Sequence, residues 1–200
     1  MSTVSTQVIG PTFEEAEERS FIIPKGNYDA KITNGMVVQS KFPASSEYEP
    51  VLVARHGEGY FPYQLELELT IISGEDGDQN GKTAKAWFPL EGKQSYKLRH
   101  IAYQVGIQDI QACFDTSDGD YVGDDARPKL PADPELAWRD VGNFYLTGVL
   151  VDAEDKAFRS AGGEGIIGGV INIRIGAPKK PKEGSDGDGW TGNITPTKPR

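Results

Sequence analysis

Residues 64–90 read QLELELTIISGEDGDQNGKTAKAWFPL, two segments that alternate apolar and polar residues, joined by a glycine-rich connection. The first segment places its apolar side chains on one side of a strand: Leu65, Leu67, Leu69 and Ile71. The second does the same over 82–90: Ala84, Ala86, Phe88 and Leu90. The Asp-Gly and Asn-Gly pairs of the connection suit positive φ angles. The pattern therefore predicts two half-buried strands joined by a turn.

Three further segments alternate with the same period of two. One contains Tyr28, Ala30 and Ile32 and bends at Gly35; the others contain Phe144, Leu146, Gly148 and Leu150, and Ile171, Ile173 and Ile175. Between the third and fourth strands the spacing changes to that of an amphipathic helix, with Ser95 as N-cap, Gly106 as stop and apolar positions Leu98, Ile101, Ala102 and Val105. A second, short helix is predicted over 134–140, after an acidic loop at 115–134.

The order strand, strand, strand, helix, strand, strand predicts a mainly β fold, a five-stranded OB-like barrel with a helix between strands three and four. A β-sandwich or another kind of barrel can have the same order of elements, and this fold is the alternative. The domain is predicted to cover residues 21–175. A polar N-terminal arm, 1–20, precedes it as a frayed segment or short acidic helix, and a disordered C-terminal tail rich in Pro, Gly and charge, 176–200, follows it.

The segment PKGNYDAKI at residues 24–32, with the alternating strand, the glycine turn and the helix that follow, resembles a family of small bacteriophage proteins. This family is similar to OB-fold single-stranded-DNA-binding proteins that act in DNA replication and recombination. The resemblance implies a DNA-binding protein in the cytoplasm of a host cell. The chain departs from the family pattern in its long insert, 41–60. It also departs in its tail, where the acidic and aromatic segment with Asp186, Asp188 and Trp190 is internal; in the family such a segment recruits phage or host replication proteins.

Composition excludes several other classes of protein. The formal net charge of −9 and the pI near 4.8 argue against coating of duplex DNA and against binding to anionic lipid. No apolar run approaches a membrane span, no secretory signal is present, and a lone Cys113 excludes a disulfide framework, so a cytoplasmic protein is expected.

Catalytic, cofactor and metal motifs are missing from the sequence. His56 and His100 have no recognisable catalytic partners, and no G-x-S-x-G, P-loop or H-E-x-x-H motif occurs. The loop that starts at Asp76 matches half of an EF-hand, but its twelfth position is Trp87 instead of Glu. We therefore expect a protein that is not an enzyme and that needs no cofactor or metal.

Aromatic and cationic residues on the polar sides of strands favour binding to single-stranded nucleic acid, because bases stack on aromatic faces and phosphates meet cations. Trp87 lies opposite the apolar face of its strand, beside Lys85. The predicted nucleic-acid-binding set adds Tyr60, Tyr63, Tyr145 and Arg174. Two alternatives remain open: Trp87 and Tyr145 pack under the loops 41–60 and 115–134, or the protein is a structural or assembly component whose exposed aromatic residues bind protein.

Overall fold

The computed structural model describes residues 22–74, 78–107, 134–151, 155, 157–159, 164–179 and 191–199. Its elements are β1 (Gly26–Gln39), α1 (Pro50–His56), β2 (Tyr63–Gly74), β3 (Thr83–Pro89), a 3-10 turn (Lys93–Ser95), α2 (Tyr96–Gln104), α3 (Pro134–Thr147), β4 (Val149–Val151), β5 (Ala157–Arg159), β6 (Val170–Ile175) and β7 (Ile194–Pro196).

Five antiparallel strands form one sheet in the order β3-β2-β1-β6-β7. Helix α2 contacts β3 at one edge of this sheet and β6 and β7 at the other. Two opposite edges can meet one helix only if the sheet curls around it, so the strands form a half-barrel. The predicted mainly β, OB-like fold with a helix after strand three is confirmed.

Strand β1 is the long central strand, and its irregularities produce part of the curl. Its pairing with β2 shifts register between Asp29 and Ala30 and between Ile32 and Asn34. The second shift lies just before Gly35, where a bend is predicted. A Cβ atom at Gly35 would lie 2.6 Å from a methyl of Leu146 and 2.8 Å from one of Leu67, so glycine allows β2 and α3 to pack closely on β1.

The inner face of the half-barrel carries the hydrophobic core. The alternating residues of β2 and β6 predicted to point inward are all buried: Leu65, Leu67, Leu69, Ile71, Ile171, Ile173 and Ile175. Helix α2 adds Leu98, Ile101 and Ala102 at the predicted spacing. Full burial of such a side chain stabilises the fold by about 1.5–3 kcal/mol.

The region around residue 144 differs from the prediction. The helix predicted over 134–140 continues to Thr147, and Gly148, at φ 71°, follows it. Its buried residues recur with helical spacing: Ala137, Trp138, Val141, Phe144 and Tyr145. The predicted fourth strand through Phe144 and Leu146 is therefore wrong. Only β4 remains strand there, and it pairs with β5 in a separate two-stranded sheet.

The C-terminal segment also requires a correction. A disordered tail is predicted over 176–200, yet residues 194–196 form β7, which pairs with residues 173–175 of β6. The backbone N–H of Ile23 donates to Thr191 Oγ1 at 3.1 Å, and Ile194 packs against the core. This segment supplies the fifth strand of the sheet, in place of the one predicted near residue 144. Residues 180–190, like the predicted arm 1–20, lie outside the described residues.

Candidate nucleic-acid interface

The outer side of the β2–β3 hairpin carries four side chains that we call the hairpin face: Glu66, Glu68, Lys85 and Trp87. They alternate with the buried residues of the same strands, so they point away from the core. Trp87 is 49% exposed and Lys85 is exposed beside it. The predicted exposure of both residues is confirmed, and Trp87 is not buried under the 41–60 insert.

Glu66 joins the two predicted binding residues. Lys85 Nζ donates to Glu66 Oε1 at 2.7 Å, and Trp87 Nε1 donates to Glu66 Oε2 at 3.0 Å. The hydrogen bond from Lys85 lowers the pKa of Glu66, and the one from Trp87 lowers it further. The hydrogen bond between Lys85 and Glu66 also raises the pKa of Lys85. Glu66 is therefore a carboxylate and Lys85 a cation at neutral pH.

The cross-strand register explains this arrangement. Glu66 lies directly opposite Trp87, while Lys85 lies opposite Glu68 and reaches diagonally to Glu66. Glu68 instead accepts a hydrogen bond from Thr33 Oγ1 at 3.1 Å. The two carboxylates of the hairpin face thus have different partners, and only Glu66 holds both Lys85 and Trp87.

Exposed apolar side chains extend this surface on both sides of Glu66. Met36 of β1 pairs with Glu66 on the side away from Trp87 and is 51% exposed. Two residues further along the hairpin, Gln64 and Pro89 border a cavity of about 270 Å³ whose rim includes Phe42 and Tyr48 of the insert. The insert, which the sequence could assign no role, therefore places exposed aromatic rings next to the hairpin face.

Tyr60 and Tyr63 have structural roles around Glu91, which lines this cavity. Tyr60 stacks on His56 with ring centroids 4.1 Å apart and donates its hydroxyl to Glu91 Oε2 at 2.9 Å. The backbone N–H of Tyr63 donates to the same oxygen, and its ring is buried. The prediction that Tyr63 is available for a base is therefore wrong, because it shares the inward phase of Leu65.

Glu91 is a buried acid that the sequence analysis missed. Burial raises its pKa, and the hydrogen bonds from Tyr60 and Tyr63 oppose that shift. Its Oε1 lies 3.4 Å from Nε2 of His56, whose pKa burial lowers. The group anchors α1 and the insert to the end of β3. A glutamate between Leu90 and Gly92 has no sequence signal that separates it from a loop charge.

The remaining predicted residues do not join the hairpin face. Tyr145 is buried on α3, so its predicted exposure is wrong. This burial raises the pKa of its hydroxyl to about 12. Arg174 is exposed on β6 as predicted, opposite Asn27 and Thr195, but β1 and β2 separate it from β3. Asp186, Asp188 and Trp190 lie outside the described residues.

A second groove, of about 790 Å³, lies where the end of α2 meets β1, β6 and residues 197–199. Ser73 Oγ and the Asn172 side-chain amide both donate to the carboxylate of Asp29. Gln104 accepts from the backbone N–H of Asn172 and donates to its carbonyl oxygen. Gln104 also donates to the carbonyl oxygen of Thr197, whose backbone N–H donates to the carbonyl oxygen of Asn172. The Gln104 side chain therefore joins β6 to the segment that follows β7.

None of the helices in the described residues is long and apolar enough to cross a lipid bilayer. Comparison of the chain with protein-family models, curated proteins and solved structures finds no significant match.

Proposed function

We propose that this protein binds single-stranded DNA without catalysis, on the hairpin face of a curled β half-barrel. The observation that carries the proposal is the half-exposed indole of Trp87, which points to solvent from β3 with Lys85 on the same side. Side chains two residues apart on a strand are separated by about 7 Å, a distance that suits a stacked base and an adjacent phosphate. Binding of this kind tolerates any sequence, because every base has a stacking face.

The charge of the protein supports single strands over duplex DNA. The net charge of −9 repels the dense phosphates of a duplex, and the hairpin face itself carries two carboxylates against one ammonium. Stacking must then supply much of the affinity. The exposed Met36, Phe42 and Tyr48 extend the apolar surface beyond Trp87. With the family resemblance, this proposal implies a role in phage replication or recombination in a host cell cytoplasm.

The proposal is tested by fluorescence anisotropy with labelled oligo-dT and with a labelled duplex of equal length, at about 50 mM and about 200 mM salt. We expect saturable binding to oligo-dT, weaker binding to the duplex, and a moderate loss of affinity at the higher salt concentration. Absence of any oligo-dT binding at the lower salt concentration would exclude the proposed function.

A second candidate function is binding to another protein as a structural or assembly component. The observation that favours it is the strong exposure of Phe42, at 79%, and Tyr48, at 72%, next to a face with no net positive charge. Large exposed apolar residues that cluster on a surface are typical of protein interfaces. A protein of this class would give no anisotropy change with either DNA, and a Phe42→Ser, Tyr48→Ser variant would lose its protein partner.

A further inference from the structure

We propose that Lys85 Nζ and Trp87 Nε1 form a two-donor anion site, the anion fork, which takes a phosphate group and which Glu66 occupies when no ligand is bound. That this phosphate belongs to single-stranded DNA rests on the proposed function. The anion fork itself rests on the geometry of the hairpin face, where two donors from one strand converge on the two oxygens of one carboxylate.

A carboxylate and a phosphate present similar features to such donors. Each has two oxygens on one central atom, shares negative charge between them and accepts short, charge-assisted hydrogen bonds. A phosphate oxygen can therefore replace Oε1 at the ammonium while a second replaces Oε2 at the indole. An indole N–H group can only donate a hydrogen bond, so Trp87 Nε1 binds an anion at this position and not a cation.

The exposure of these groups makes the exchange feasible. The Lys85 side chain is 58% exposed, while that of Glu66 is 19% exposed because it lies between its two donors. Exposed ion pairs are weak, so a phosphate group can compete with the carboxylate for the two donors. The cost of this displacement lowers the affinity for a lone phosphate. A ligand that also stacks a base on Trp87 recovers that cost, and the anion fork thereby favours single strands over free anions.

Glu68 provides the matched control. It lies on the same strand and face, carries the same charge and sits opposite Lys85 in register, but its carboxylate accepts from Thr33 and not from Lys85 or Trp87. Removal of either charge changes the net charge of the hairpin face equally. Only Glu66→Gln weakens the group that occupies the anion fork, because a neutral amide offers one acceptor oxygen to the two donors.

The first measurement is the Kd for oligo-dT of the wild-type protein, Glu66→Gln and Glu68→Gln at low salt. We expect Glu66→Gln to bind oligo-dT about two- to fivefold more tightly than the wild-type protein, in keeping with the weakness of an exposed ion pair. The change in Kd for Glu68→Gln should be less than about half of the change for Glu66→Gln. Equal gains for the two variants would show an effect of net charge alone. Weaker binding by Glu66→Gln would show that Glu66 positions the two donors for the ligand. Either result overturns the inference.

The second measurement needs no DNA. The indole N–H resonance of Trp87, assigned by its loss in Trp87→Phe, is followed by NMR during titration with inorganic phosphate. We expect a saturable shift in Glu66→Gln and a much smaller one in the wild-type protein and in Glu68→Gln. If this shift occurs but no variant binds oligo-dT, the proposed function fails while the anion fork stands. If the wild-type protein binds oligo-dT and Glu66→Gln shows no shift, the anion fork fails alone.

Discussion

The two faces of the β2–β3 hairpin differ completely in what they contact, although they share one backbone. On the inner face Leu65, Leu67 and Leu69 have no solvent exposure, and they pack in the core. On the outer face Glu66 and Trp87 contact each other and solvent. We therefore expect the free energy of folding and the proposed binding energy to reside in separate side chains, so substitutions should affect one property and spare the other.

The largest effect is expected on the inner face. Leu67→Ala should lower the free energy of unfolding by about 2–5 kcal/mol, because it removes a fully buried side chain and leaves a cavity beside Gly35. Urea unfolding followed by circular dichroism measures this loss. A loss below about 1 kcal/mol, the scale of a surface substitution, would contradict the division between the two faces.

Strand β7 forms one edge of the sheet, and deletion of residues 191–200 tests its contribution to stability. The deletion removes β7, the partner of residues 173–175, and the contact of Ile194 with the core. We expect a loss of about 2 kcal/mol from burial and backbone pairing. Such a loss lowers the melting temperature by about 4–8 °C in a protein of this size. An unchanged melting temperature would mean that β7 does not stabilise the sheet.

The outer face should show the opposite behaviour. Trp87→Ala should weaken oligo-dT binding by about 1–3 kcal/mol, the contribution of one stacked base. Its free energy of unfolding should change by less than about 1 kcal/mol, because the indole is half exposed.

Tyr96→Ala is the control for this variant. Tyr96 is 41% exposed on α2, with its ring edge against His100, so it is a comparable aromatic residue away from the hairpin face. A folded Trp87→Ala protein with the Kd of Tyr96→Ala would remove Trp87 from the site.

The inner face could be predicted from the sequence, because burial on one side of a strand imposes a period of two that the residues themselves display. The outer exposure of Trp87 and Lys85 followed from the same period. The prediction of a strand near residue 144 failed because Phe144 and Leu146 fit the period of a strand as well as that of a helix. The helical period appears only when Val141 and Trp138 are included.

Two other features could not be predicted for a different reason. Strand β7 has three residues, too few to display a period, and its position depends on backbone hydrogen bonds, which leave no pattern of side chains in the sequence. The link between Glu66, Lys85 and Trp87 depends on cross-strand register, which neither strand encodes by itself. The burial of Glu91 likewise depends on the path of the insert over the end of β3.

Glu91 is buried just beyond the end of β3 and should make stability depend on pH. Its raised pKa means that the folded protein retains a proton that the unfolded chain loses near the ordinary value of 4.5. Its contribution to stability is therefore complete below that value and is lost as the pH rises through the raised pKa, with a slope of at most about 1.4 kcal/mol per pH unit.

Glu91→Gln removes this titration and keeps an acceptor for Tyr60 and Tyr63. We expect the free energy of unfolding of Glu91→Gln, minus that of the wild-type protein, to increase between about pH 5 and pH 8. The lowered pKa of His56 gives a slope of opposite sign. Because His56 Nε2 lies 3.4 Å from Glu91 Oε1, the same comparison is made in a His56→Gln background, where that titration is absent. Arg55 and Glu49 also act on Glu91, so the wild-type curve alone does not isolate it. A difference that stays constant with pH would show that Glu91 is ionised throughout.

The smallest effect is expected from Lys85→Ala. The ammonium is exposed and already paired with Glu66, so the variant should fold normally and lose little affinity at high salt. At low salt it should bind oligo-dT less tightly, because one phosphate contact and its released counterion are gone. The slope of log Kd against log salt concentration should decrease by about 0.7, the value for one contact with a single strand. Trp87→Ala should leave this slope nearly unchanged, since neither a stacked base nor the neutral indole N–H releases a counterion. If both variants alter the slope equally, the charge role assigned to Lys85 and the stacking role assigned to Trp87 are not separate.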